Sequence, residues 1–370
     1  MRQSDPTMHD TFHIDIFIIL LIIAAAVSMT VKWIRLPYSI ALVLVGLLIG
    51  PFNLLPKFEM TPELILLVCL PALLFEASWN IHLQELKAVW RAVAAFATVG
   101  VLISTTVVGL ALYHFAAVPI GAAFLVGAIV SATDPISVVA LFRQLGVDKR
   151  LSVIIEGESL FNDGTAVVLF KLISVAVVAS TAVSIPSTFM SFVTIVVGGA
   201  AVGCALGFVA SKLTSFFDDH LLEITLTTIL AYGSYLLSEQ LQVSPVIAVV
   251  CAGIVMGNYG SRTAMSATTR ISVNSFWEYA AFLVNSLVFL LIGIQIRFPL
   301  LAEYVVPIAA AIAAVIGARM LAIYGLSLFL SIVLRPCHGS GDMFWSGEAY
   351  EERFVWLWRS VSPMTFPTVS

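Results

Sequence analysis

Charge is what this chain has least of: only 11% of its 370 residues are Asp, Glu, Lys or Arg, against roughly 25% in soluble domains. That excludes a water-soluble enzyme. The 18 Lys and Arg sit between hydrophobic blocks and form no basic stripe, so nucleic acid is excluded as a partner. Cysteine is scarce as well. Cys69, Cys204, Cys251 and Cys337 stand at no metal-ligand or paired-disulfide spacing, and buried packing is their expected role. No glycine-rich phosphate loop precedes a suitable helix, so the sequence implies neither a nucleotide nor any other cofactor.

What the chain has instead is hydrocarbon. It is 60% hydrophobic, with a mean hydropathy of +1.04, and the apolar residues come in runs of bilayer-spanning length. Eleven such runs centre near Ile22, Leu47, Leu70, Val101, Gly127, Val167, Val197, Leu230, Val250, Leu287 and Ile316. The first follows a polar, non-basic segment and is too long for a signal-peptide core, so it reads as a span. An all-α polytopic membrane protein is the expected fold class.

The loops orient it, because Lys and Arg are retained on the cytoplasmic side. Odd-numbered loops carry Lys32, Arg35, Lys87, Arg91, Arg143, Lys149, Arg150, Lys212, Arg262, Arg270 and Arg335, whereas even-numbered loops carry only Lys57 and Arg297. One missed helix would invert every later loop and destroy that asymmetry. The N-terminus is therefore expected outside a cell inner (plasma) membrane.

Ionisable groups in the middle of such spans cost about 2.5 to 3.5 kcal/mol each on insertion scales, so each needs a reason. The fifth span contains Thr133-Asp134-Pro135. Pro135 has no N–H to give and disfavours helical geometry at Asp134, which predicts a helix break. Freed backbone groups at that depth are tolerated where they line a cavity or bind ions. The sixth span contains Glu158-Ser159-Leu160-Phe161-Asn162-Asp163-Gly164. Ser159, Asn162 and Asp163 fall at i, i+3 and i+4, so one helix face offers a hydroxyl, an amide and a carboxylate. Such oxygens suit a hard cation such as sodium, which a carboxylate can release for a proton.

Two further buried charges are Glu76, at the end of the third span, and Arg319, inside Val315-Ile316-Gly317-Ala318-Arg319-Met320. An unpaired Arg there would be expensive, and Glu158 is its expected partner. Glu76 is either an interfacial residue beside Trp79 and Asn80 or a possible site residue. Asp15 and Lys171 lie near span ends, where snorkelling accommodates them. Glycines 199, 203 and 207 let another helix approach closely, from the same chain or a second copy.

These segments resemble the monovalent cation/proton antiporters of the first cation-proton antiporter class, the bacterial sodium/proton exchangers related to the animal ones. The resemblance covers residues 12 to 334, and rests most on the Glu158 to Gly164 stretch. Thr133-Asp134-Pro135, the Arg319 segment and Asn285 to Gly293 add to it. It implies an inverted-repeat antiporter fold with broken crossing helices, about 11 spans being present of an expected 13, and a homodimer. It implies antiport of sodium, or another monovalent cation, against protons, with cation and proton competing at Asp163 under alternating access. Thr133, Asp134, Ser159 and Asn162 would complete or support the ion site, and Glu158 with Arg319 would form a structural ion pair. Asn162, where electrogenic relatives carry a second aspartate, implies the electroneutral class.

After Leu334 the spanning pattern stops. Residues 335–370 contain Asp342, Glu348, Glu351, Glu352 and Arg353 and hold no run long enough to span. Read from the third base of each codon, the permitted codons of Gly347 to Arg353 include Gly-Gly-Leu-Arg-Gly-Ala, the opening the family would have in its twelfth helix. The expectation is an exchanger domain over 1–334 followed by an aberrant tail, a frameshifted twelfth helix, and a chain that as written does not exchange ions. A cation channel or a non-transporting membrane remnant are the alternatives.

Overall fold

A computed structural model of the chain describes residues 14–34, 36–52, 64–135, 149–179 and 185–333, with positions 138, 139, 142, 146 and 147 between them. The tail over 335–370, with Cys337, lies outside the described residues, as does the side chain of Asp15. The described chain is helical throughout: α1 (Ile14–Ile34), α2 (Tyr38–Ile49), α3 (Ile65–Trp79), α4 (Leu83–Phe115), α5 (Ile120–Ser131), α6 (Lys149–Ala179), α7 (Ile185–Thr214), α8 (His220–Gln240), α9 (Pro245–Thr263), α10 (Ala267–Gln295) and α11 (Val305–Val333). A short helix, Phe298–Glu303, precedes α11. Seven of these, α4 and α6 to α11, are long and apolar enough to cross a membrane, and α1, α2, α3 and α5 are apolar over shorter stretches.

The distribution of polarity is inverted relative to a soluble protein. Ile22, Met29, Val178, Phe189 and Ile229 are all more than half exposed, while Ser78, Asn162, Thr227, Ser234 and Ser286 are fully buried. Helices that keep every internal hydrogen bond within themselves and turn aliphatic side chains outward are what hydrocarbon solvent selects. The chain is an integral membrane protein.

Small residues bring its helices together. Along α7, a Cβ on Gly199 or Gly203 would run into the backbone carbonyls of Ser244 and Ala248. The glycine stripe is thus spent on α9 of the same chain, and Ser244 N–H closes the crossing by donating to the Ile195 carbonyl at 3.0 Å. A second close crossing joins α2 to α10, where Gly46 and Gly293 meet and Tyr38 Oη lies 2.7 Å from Ser286 Oγ. Between these crossings Phe75, Trp79 and Trp277 form an aromatic cluster, with Phe75 and Trp277 centroids 4.6 Å apart. Trp277 Nε1 donates to Thr227 Oγ1 at 3.1 Å and Trp79 Nε1 to Asn274 Oδ1 at 2.5 Å.

Three helices contain a π turn: Ile65–Cys69 in α3, Phe96–Gly100 in α4 and Met256–Gly260 in α9. The sixth span begins earlier than its apolar pattern suggests. The helix starts at Lys149, two turns before Glu156. Gly157 lets α6 lie against Leu86 and Val93 of α4, and Gly164 lets it lie against Ile247 of α9. Ala314 and Ala318 of α11 pack on Val108 and Leu112 of α4 and Ala123 of α5. Residues from Tyr324 onward form a second unit, of which only the end of α11 is described.

Candidate functional site

The helix break expected at Pro135 is present. After Ser131 the backbone leaves the helix, Ala132 standing extended at φ −64 and ψ 142, and residues 132–135 carry no helix. A helical bond reappears beyond it, Val139 N–H to the Pro135 carbonyl at 2.8 Å. Gly146, at φ +66, and the Val147 N–H to Phe142 carbonyl bond of 3.0 Å then close a left-handed C-terminal turn that glycine accommodates. The break is a short non-helical bridge between two helical pieces.

Helix α6 is tied to that bridge side chain by side chain. Ser159 Oγ donates to the Thr133 carbonyl, and Asn162 Nδ2 donates to Thr133 Oγ1 at 2.8 Å and to Glu158 Oε1 at 3.0 Å. A carboxylate accepts only, so Glu158 fixes which end of the amide faces it. Ser159 and Asn162 are buried, at 2% and 0% exposure. Asn162 Oδ1 is buried with no hydrogen-bond partner. An orphaned acceptor costs about 1 to 3 kcal/mol and is an oxygen still open to a cation or water.

Asp163, the next residue, is half-buried, and its electrostatic neighbours are the carboxyls of Asp134 and Glu158. Asp134 lies exposed on the non-helical bridge. The structure therefore gathers Thr133, Asp134, Ser159, Asn162 and Asp163 into one region lined by oxygens and bordered by negative charge.

Arg319 enters from α11. Its Nη1 lies 3.1 Å from Glu158 Oε1. Its Nη2 donates to the Ser131 carbonyl at 3.1 Å, an acceptor that sequence reasoning did not identify. Ser131 is the last residue of α5, so the guanidinium occupies the carbonyl end of a broken helix, where the macrodipole favours a cation.

Glu76 stands elsewhere. It lies on α3, with Asn80 Nδ2 donating to its Oε1 at 2.8 Å, and its charged neighbours are Glu278 and Glu156. Lys171 lies exposed two turns beyond Asp163 on α6.

Comparison with known proteins identifies the family and the fold. The family model described as "Sodium/hydrogen exchanger, transmembrane" matches residues 17–365. The low-affinity Na(+)/H(+) antiporter NhaS1 of Synechocystis sp. is 42% identical over 322 residues, which are 86% of this chain and 61% of that protein. ApNhaP of Aphanothece halophytica, a Na(+)/H(+) antiporter, is 44% identical over 322 residues, 87% of this chain and 60% of that one. NhaH of Halobacillus aidingensis, also a Na(+)/H(+) antiporter, is 39% identical, over 85% of this chain and 81% of its own length. The chain thus spans about three fifths of the length of the first two. In fold it is similar to the sodium proton antiporter MjNhaP1 of Methanocaldococcus jannaschii, with a TM-score of 0.73 at 23% identity, over 88% of this chain and 79% of that one.

Proposed function

The chain belongs to the sodium/hydrogen exchanger family, and from that premise we propose that residues 1–334 are the exchanger domain of a secondary carrier exchanging a monovalent cation, sodium first, for protons, the chain as written with its 335–370 tail being expected not to complete the cycle. The observation that carries this reading is the junction of a helix break with a mid-helix carboxylate. Ser159 and Asn162, one turn and one residue before Asp163, hold the Thr133 backbone and hydroxyl. Oxygens from Thr133, Asp134, Ser159 and Asp163 then suit a hard, dehydrated cation. Asp163 cannot hold a proton and a cation together. Competition there, with the site reached alternately from either face, couples opposite fluxes without ATP.

Glu158 and Arg319 act as a structural pair in this reading, since each is the other's countercharge in a low-dielectric region. Asn162 is neutral and engaged with Glu158 and Thr133, so Asp163 alone exchanges charge. One proton for one monovalent cation makes the cycle electroneutral. The eleven-to-two distribution of Lys and Arg over the loops supports an outward N-terminus in a plasma membrane, and a homodimer is the assembly proposed from the family resemblance.

The test is sodium-driven dequenching of an acid-trapping dye in inverted vesicles, with parent and variant both carrying the restored twelfth-helix reading frame, because the chain as written is expected not to exchange ions. D163N should insert, fold and melt like the parent yet give no dequenching, because an amide does not alternate between protonated and ionised forms. Parental dequenching by D163N would remove Asp163 from the mechanism.

A further inference from the structure

Glu223 has no part in the site described above. It lies in the first turns of α8, is fully buried, and neither of its carboxylate oxygens has a hydrogen-bond partner. Its charged neighbours are Asp218 and Asp219, both acidic. A carboxylate taken out of water without a donor or countercharge costs several kcal/mol. Two more carboxylates beside it raise that cost.

The surroundings supply oxygen, with His220 the basic neighbour of Asp219. Asp219 is committed as the N-cap of α8, accepting from Leu221 N–H at 2.8 Å and Leu222 N–H at 3.2 Å. Asp218 Oδ1 accepts from Thr269 Oγ1 at 3.3 Å in the first turn of α10. Thr269 Oγ1 lies in turn 3.0 Å from Ser266 Oγ, the residue that caps α10. One turn along α8 from Glu223, the buried Thr227 hydroxyl accepts from Trp277 of α10. Two helix starts thus stand side by side, joined through Asp218 and Thr269, with an unpartnered carboxylate beneath them.

We propose that Glu223, with Asp218 and the hydroxyls of α8 and α10, binds an alkali cation at a second site, separate from Asp163. Hard oxygen donors select against soft metals. Among the described residues no three His, Cys, Asp or Glu stand close enough to hold a metal ion, so the two carboxylates Glu223 and Asp218 with neutral hydroxyl oxygens suit a single positive charge. The ion would supply the missing countercharge and tie the start of α8 to the start of α10. Ligand that binds only the folded chain raises its stability with concentration.

The experiment separates this site from the transport site by working in D163N. Purified D163N is melted in detergent with sodium, lithium or potassium chloride and with choline chloride at equal ionic strength. An alkali cation should raise the melting temperature by several degrees over choline, and E223Q in the same background should remove that rise. D218N, which changes an exposed residue and leaves the buried glutamate in place, should shift the cation dependence to several-fold higher concentration. No cation-dependent rise in D163N overturns the proposal. So does a rise that survives E223Q, or an unchanged concentration dependence in D218N. A rise that follows pH alone and is equal in choline and sodium also overturns it, Glu223 then holding a proton. None of these outcomes bears on Asp163, whose failure would appear in the dequenching assay.

Discussion

Arg319 grips the end of a broken helix and a carboxylate at once: Nη2 is 3.1 Å from the Ser131 carbonyl and Nη1 is 3.1 Å from Glu158 Oε1. The two acceptors belong to α5 and α6, so one guanidinium from α11 fixes the relative position of the helices that build the site. A planar fork with several N–H donors can do this, and a single ammonium cannot reproduce it.

R319K should therefore lower the melting temperature of the solubilised chain even though it keeps the charge. R319A should cost more, about 3 kcal/mol, since Glu158 is left without its countercharge. The double variant E158Q/R319Q should lose less than the two single changes summed. Additive losses would show that the two side chains do not act as a pair.

Asn162 makes a second prediction possible, because its Nδ2 donates to Glu158 Oε1. N162D replaces that donor by an acceptor and sets two carboxylates against each other. The expected loss is about 1 to 3 kcal/mol in thermal unfolding, with lower exchange as a consequence of a displaced Thr133. If N162D were as stable as the parent, the amide's role as a tie between Thr133 and Glu158 would be wrong.

Electroneutral exchange has a direct signature. Sodium-driven dequenching in vesicles, with the twelfth-helix reading frame restored, should keep its rate when the membrane potential is clamped to zero with valinomycin and potassium, and when it is set to either sign. A rate that changes with potential would require a second charge to move with each cycle.

Gly203 tests where the glycine stripe of α7 is used. A side chain there would strike the Ala248 carbonyl and Cα of the same chain, and backbone cannot step aside cheaply. G203L should lower the melting temperature and the yield of folded protein. Loss of a dimer with an unchanged monomer, seen by size exclusion with light scattering, would place the stripe between copies instead.

Much of this was legible in the sequence, for identifiable reasons. Pro135 lacks an N–H, so the break in the fifth span follows from one residue. Ser159, Asn162 and Asp163 share a face because of helical periodicity alone. A mid-span Arg319 demands a carboxylate, and Glu158 is the choice that sequence supports, the two side chains being only part-buried in the fold. What escaped depended on contacts between segments distant in the chain. Nothing in local pattern connects Arg319 to the carbonyl of Ser131, since every residue has a carbonyl. The start of α6 at Lys149 is obscured because Lys149 and Arg150 read as loop and the span reads as opening at Glu156, although the helix already begins at Lys149. Glu223 does not stand out in the sequence, because Asp218, Asp219 and Glu223 together have the look of a solvated helix start. Its spacing with Thr227, Ser234 and Ser238 was the available signal, a polar stripe at helical intervals that is buried throughout.

The π turn at Phe96–Gly100 bears on any attempt to map α4 by labelling. Val89, Val93, Ala97, Val101 and Thr105 are all buried and recur every fourth residue. In a straight α-helix each interval of four over-rotates by about 40°, so these five positions would wander through about 160°. One extra residue in the π turn takes back about 100° of that drift. A cysteine scan along α4 should consequently show two registers of protection, each regular within itself, with a slip in phase near Ala97. A single helical wheel drawn from Leu83 to Phe115 would assign lipid-facing and protein-facing positions correctly on only one side of that slip.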